Sequence, residues 1–126
     1  MLAKLHAAAE AARQDSQKGI AAFDAIANDG KAEASIREIA RLRAASLMLD
    51  TAPYTEIEKR LSDDASGTHT FRHSARELLA LSAWRAKNND AARKWIDMIG
   101  DDPHSPATLR RRAEALLALL PPAAKS

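Results

Sequence analysis

Cysteine is absent from this 126-residue chain. Disulfides, thiolate metal sites and thiol nucleophiles are therefore excluded together, while the redox compartment stays open. Valine is absent too, and the β-branched residues amount to 7 Ile and 5 Thr against 29 Ala and 14 Leu. Alanine and leucine are the strongest helix formers, so a β-rich fold is excluded. Aromatic residues number five, a thin supply for base-stacking platforms. Neither sign of charge dominates: 19 Lys and Arg stand against 17 Asp and Glu, a balance of +2. Chains that coat nucleic acid or an anionic membrane carry a larger excess. Long hydrophobic runs are missing as well. The most apolar stretch, Leu116 to Leu120, follows Glu114 and stops at Pro121-Pro122, far short of the ~20 residues that cross a bilayer. The opening Met1-Leu2-Ala3-Lys4-Leu5-His6 carries no hydrophobic signal core.

What is present reads as helices divided by caps and breakers. A first helix is predicted over Leu2 to Gln14, with Asp15 or Ser16 as N-cap of a second from about Lys18 to Ala27. Ile20, Phe23, Ile26 and Ala27 share one face of that second helix, and Gly30 suits a left-handed residue after its end. A third spans about Ala32 to Leu49. A short fourth turns Tyr54, Ile57 and Leu61 inward, before a polar loop from Ser62 to Thr70. The fifth runs from about Phe71 to Lys87 and the sixth from about Ala91 to Ile99. The last, after Pro106 in its first turn, runs from Ala107 to Leu120. Short connections favour antiparallel neighbours, and the length suits one domain over residues 1–126.

The chain also repeats itself. A shift of 73 residues places Phe23 on Ile96, Asp24 on Asp97, Ile26 on Ile99 and Asp29 on Asp102; it also places Ile36 on Leu109, Arg37 on Arg110, Ala40 on Ala113 and Leu47 on Leu120. Two successive units of about 36 residues produce such an offset, the mark of a helical repeat.

The unit resembles the tetratricopeptide repeat. From Ser74 to Pro103 the chain supplies Ala80, then Ala92, Ile96 and Ile99, then Pro103, in the order of that helix-turn-helix pattern. Ala80 and Ala92 stand where two helices cross closely. The first hairpin offers Ala7, Gly19, Phe23 and Ile26 in the same places, with Gly30 instead of proline. The middle hairpin keeps Ala40 but not the spacing of Tyr54, Ile57 and Leu61. The resemblance implies an all-α fold of about three hairpins, stacked as a right-handed α-solenoid with a C-terminal capping helix.

Longer segments narrow it. Arg41-Leu42-Arg43-Ala44-Ala45 through Asp50-Thr51-Ala52-Pro53-Tyr54 forms one signature. Phe71 to Glu77, Ala83-Trp84-Arg85-Ala86 and Leu109-Arg110 to Leu120 form others. Together they are similar to the alphaproteobacterial branch of the YfgM-like family of tetratricopeptide-repeat-like proteins. Members of that family carry a cytoplasmic stub, one membrane span and a periplasmic repeat domain, and serve as ancillary subunits of the SecYEG translocon beside a periplasmic chaperone. The resemblance implies that this chain is the periplasmic C-terminal part of a longer, membrane-anchored protein at the inner membrane. A soluble adaptor elsewhere in the envelope or cytoplasm is the competing expectation.

Chemistry-bearing clusters are sparse. His69 and His73 are four apart, but His69 precedes the predicted helix and no third ligand is near in sequence. Asp63-Asp64 and Asp101-Asp102 fall in turns at helix ends, without a nucleophile beside them. No phosphate loop, nucleophile elbow or HExxH pattern occurs. Arg110-Arg111-Arg112 spreads over about 200° of a helix, and Trp84 and Trp95 fall at apolar helical positions, as core residues do. No enzyme activity, cofactor, metal or nucleic acid is expected.

A groove is the sharper expectation, since the first helices of stacked hairpins line a trough that holds a peptide. Counted from the small residues, the groove-facing positions are Lys4, Arg37, Arg41, Glu77, Leu81, Trp84, Arg85, Arg110 and Glu114. Five basic residues against two acidic ones predict a preference for acidic or amphipathic protein segments, with Leu81 and Trp84 as apolar anchors.

Overall fold

The computed structural model describes residues 2–123. Met1 and the last three residues of the expected 1–126 domain lie outside the described residues. Seven helices, and no strand, occur among those described: α1 (Leu2–Gln14), α2 (Ser16–Ala27), α3 (Ala34–Met48), α4 (Tyr54–Leu61), α5 (Arg72–Arg85), α6 (Asn89–Asp101) and α7 (Ala107–Ala118). The fold is all-α, and every predicted helix is present with its ends moved by no more than about two residues. Among the described residues no helix is long and apolar enough to cross a membrane. The chain divides into two compact units, one ending at Ala52 and one beginning at Pro53.

In the first unit α2 packs on both α1 and α3. The core joins Ala8, Phe23, Ile26, Ala40 and Ala44, with Leu5, Ile36 and Leu47 partly buried against it. Asp15 caps α2 by accepting a hydrogen bond from the Gln17 backbone N–H at 2.9 Å. Buried Gly19 sets the approach of α1, because a Cβ there would stand 2.4 Å from Ala12 Cβ and 2.6 Å from Ala12 Cα. The small-residue crossing therefore exists, but between Gly19 and Ala12. The predicted partner Ala7 is exposed and Ala8 is buried. Leu5, Ala8 and Ala12 follow one another at i, i+3 and i+7, which turns Ala7 about 100° off the seam.

Gly30 also departs from expectation, since it does not take a left-handed conformation. The chain leaves α2 through a turn in which the Asp29 carboxylate accepts from the Lys31 backbone N–H at 2.9 Å. The left-handed helix end occurs at Lys87 instead, with φ 59°. There the Lys87 N–H reaches the Trp84 carbonyl at 3.0 Å and the Asn88 N–H reaches the Ala83 carbonyl at 2.9 Å. That pair of bonds is a Schellman motif, and its geometry demands positive φ whatever side chain is present.

The second unit packs α4 on α5, α5 on α6, and α7 on both α5 and α6. Tyr54, Ile57 and Leu61 are buried as the spacing predicts, and so are Leu79, Ala80, Ala83, Ala92, Ile96 and Ile99. Each fully buried aliphatic side chain is worth about 1.5–3 kcal/mol of transfer free energy. The Trp95 indole N–H donates to the Tyr54 hydroxyl at 2.8 Å, which donates to the Glu58 carboxylate at 2.9 Å. The polar loop after α4 is not wholly solvated: Asp64 and Ala65 are buried. Trp84, expected among core residues, is 38 % exposed.

The 73-residue offset reappears in the elements themselves. Ser16 and Asn89 open α2 and α6, Ala34 and Ala107 open α3 and α7, and the side-chain caps Asp15 and Asn88 coincide. Buried Gly19, Phe23, Ile26 and Ala40 correspond to buried Ala92, Ile96, Ile99 and Ala113. The helices α1 and α5 fall out of phase, because α5 ends in the Schellman turn whereas Asp15 alone separates α1 from α2.

Candidate functional site

The connection from α6 to α7 is held by one carboxylate. Asp102 accepts from Arg72 Nε at 2.7 Å, from Arg76 Nη1 at 2.8 Å and from the His104 backbone N–H at 2.9 Å. The hydrogen bond from Arg72, and then that from the His104 backbone, hold the Asp102 carboxyl far below the ordinary carboxylate range. Arg76 is buried and also donates through Nε to the Ala65 carbonyl at 2.8 Å. Arg110 reaches back from α7 to the Gly100 carbonyl at 2.9 Å and the Ser105 carbonyl at 3.3 Å, and also bonds the Asp102 carbonyl.

Ser105 and His73 stand in the same cluster, with Ser105 Oγ 3.5 Å from His73 Nδ1. The hydroxyl donates its proton to the Ile99 carbonyl at 2.7 Å. That leaves no proton for the imidazole to accept, and Asp102 is occupied by its arginines. The cluster braces a loop rather than activating a nucleophile. Burial, and the Arg72 charge next, push the His73 imidazole below its ordinary range. Asp102 pulls the other way, and Arg76 and His104 add to the downward push.

Beside this brace runs a small cleft of about 130 Å3 lined by Glu77, Ala80 and Leu81 of α5, Ile99 of α6, and Leu109, Arg112, Ala113 and Leu116 of α7. His73 meets Ser105, Glu77 meets Arg112, and Leu81 shares the cleft with Leu116, so α5 and α7 run in the same direction over α6. Arg112 spans the rim with two bonds to Glu77, at 2.6 and 3.1 Å.

The first unit has a larger cleft, of about 410 Å3. Leu2, Leu5, His6, Ala9 and Ala12 of α1 form one wall, and Ile39, Arg43, Ser46 and Leu47 of α3 the other, with Phe23 of α2 between them. Arg43 and His6 are its only ionisable lining groups, and both are exposed.

The predicted groove residues separate accordingly. Glu77 and Leu81 line the second-unit cleft. Trp84 and Arg85 are exposed at the end of α5, and Glu114 is exposed on α7. Arg110 is spent on the loop carbonyls. Lys4 pairs with Asp29 at 3.9 Å, and Arg37 and Arg41 are half-buried on α3. His69 is exposed before α5 begins, apart from the helical His73. Sequence reasoning missed Arg112 and Arg43 as the cleft arginines. Each belongs to a basic cluster already visible, and the signal that separates them from their neighbours is the apolar spacing around them: Leu109, Ala113 and Leu116 about Arg112, Ile39 and Leu47 about Arg43. Comparison of the chain with protein-family models, with curated proteins and with solved structures yields no match in any of the three.

Proposed function

We propose that this chain is a non-catalytic protein-interaction module, built of tetratricopeptide-like hairpins of a right-handed α-solenoid. In this proposal it serves as the periplasmic domain of an ancillary translocon subunit, binding translocon or chaperone partners. Supporting the hairpin reading are the close crossing at Gly19 and Ala12, the burial of Ala80 and Ala92, and the coincident starts of α2 with α6 and of α3 with α7. The observation that carries it is the parallel course of α5 and α7 with an apolar seam between them floored by Ile99. A first helix and the first helix of the next hairpin stand in this relation in stacked repeats, and their seam is where such proteins hold segments of others. The place beside the translocon rests on the sequence resemblance.

A photo-crosslinking amino acid placed at Leu81, and separately at exposed Asp97 on α6, tests this in intact cells. Discrete protein adducts from Leu81, including a translocon subunit or periplasmic chaperone, are the expected result. Adducts only from Asp97, or none from Leu81, overturn the cleft as the binding surface. Leu81 adducts confined to cytoplasmic proteins overturn the location.

A further inference from the structure

The two clefts are built on the same repeat positions with opposite contents. Under the 73-residue offset, Ile39 corresponds to Arg112 and Arg43 to Leu116, and all four line their clefts. Each cleft thus carries one arginine among apolar groups, moved by one helical turn. In the second unit the facing helix supplies Glu77, and Arg112 takes it in a two-point ion pair. In the first unit the facing wall is Leu2, Leu5, His6, Ala9 and Ala12, with no carboxylate. Among the described residues Arg43 has no hydrogen-bond or ion-pair partner. Its cleft is also about three times the volume.

We propose that the cleft of the first unit docks an amphipathic helix of a partner protein, whose apolar side chains lie on Leu5, Phe23, Ile39 and Leu47 and whose acidic residue pairs with Arg43. This deepens the interaction-module reading and rests on it. Charge complementarity selects the acidic edge, since the lining is apolar with a cationic rim and nothing anionic. The walls select the helix: both are α-helices with their backbone groups bonded internally, so an occupant finds no backbone partners and must satisfy its own. A membrane surface is disfavoured because the apolar groups are recessed between helices and the rim carries too few cations. An acyl chain is disfavoured because the cleft is only partly enclosed, whereas small ligands are bound where most of their surface is buried.

The test uses labelled, end-capped peptides of about 18 residues, long enough to hold a helix. All have the same Leu/Ala stripe, flanked along one edge by Glu in one version and by Lys in the other. Binding is measured by fluorescence anisotropy to the whole chain, to Arg43→Ala and to Arg43→Glu, with circular dichroism confirming that each variant is folded. The Glu peptide is expected to bind more tightly than the Lys peptide. Arg43→Ala weakens it by up to about fivefold, the upper end for an exposed ion pair. Arg43→Glu reverses the preference, and Glu77→Gln leaves it unchanged.

Equal binding of both peptides, insensitive to Arg43, overturns the acidic-partner inference and leaves the interaction module standing. Failure of both peptides to bind overturns the first-unit cleft as a helix-docking site, while the interaction module stands or falls on the Leu81 crosslinks. Anionic vesicles or dodecanoate captured in an Arg43-dependent way, or a dimer in sedimentation that Arg43→Glu dissociates, names a different occupant and overturns the inference.

Discussion

Replacing Gly19 with alanine isolates the physical basis of the first hairpin. The added Cβ would lie 2.4 Å from Ala12 Cβ, 2.6 Å from Ala12 Cα and 3.1 Å from Ala12 N. Carbon atoms rest about 3.5–4.0 Å apart, so α1 must move off α2 by about 1 Å or more. Two of the opposing atoms are backbone, which no rotamer change can withdraw. Overpacking of this kind costs about 1–3 kcal/mol, and a backbone clash belongs at the upper end. Against it stands the helix propensity of alanine over glycine, about 1 kcal/mol. The net expectation is a loss of about 2 kcal/mol, with the core of Ala8, Phe23 and Ile26 loosened. Gly100→Ala is the internal control, because it lies in the last turn of α6 with nothing within 4 Å of its new Cβ. It should gain about 0.5 kcal/mol. Urea denaturation followed by far-UV circular dichroism measures both. Adding Ala12→Gly to Gly19→Ala should restore only part of the loss, since the backbone of residue 12 still crowds the new methyl group. If Gly19→Ala is as stabilising as Gly100→Ala, close helix approach is not what that glycine provides.

Other perturbations read the second unit. Lys87→Gly should raise the urea midpoint, because a side chain at φ 59° gives up about 0.5–1 kcal/mol that glycine recovers. Tyr54→Phe removes the acceptor of the buried Trp95 N–H and should cost about 1–2 kcal/mol by the same assay, with a shift in tryptophan emission. Asp102 is held below its ordinary value near 3.8 in the folded chain, so its stabilisation is present above that pH and is lost as pH falls beneath it. Asp102→Asn should therefore be less stable at neutral pH and show a shallower acid dependence below pH 3.8 when thermal midpoints are compared. His73 has the opposite chemistry and the same direction. The folded state resists a proton that the unfolded chain accepts near pH 6.5, so stability falls as pH drops below that value and His73→Gln should flatten the slope.

Helices, their caps and the 73-residue offset were legible because amphipathic spacing is a local property. Tyr54, Ile57 and Leu61 announce a buried face within eight residues, and Asp15 announces the start of α2. Legibility failed where the sequence has no contrast. Ala7-Ala8-Ala9 and Ala11-Ala12 present small residues on every side, so no periodicity distinguishes the buried Ala8 from the exposed Ala7. It failed again at helix exits. Gly30 looked suited to a left-handed turn, but the Asp29 side chain closes that exit, whereas the Schellman turn imposes the left-handed geometry on Lys87.

The cleft was less legible for a different reason: an arginine's role depends on the helix that faces it. Arg110 and Arg112 lie two residues apart, about 200° around α7. One turns to the carbonyls of Gly100 and Ser105 and the other to Glu77. The three arginines alone do not separate the loop brace from the rim pair, and within α7 only the apolar spacing of Leu109, Ala113 and Leu116 sets Arg112 apart. The repeat also separates them once the elements are superposed, since the offset carries Arg37 onto Arg110 and Ile39 onto Arg112. Residues at corresponding positions then share a direction but not a partner. The second unit meets its cleft arginine with its own glutamate, and the first presents Arg43 with no carboxylate among the residues lining its cleft. Small crossings and apolar faces thus recur at the 73-residue offset, whereas the charges along each seam differ between the two units.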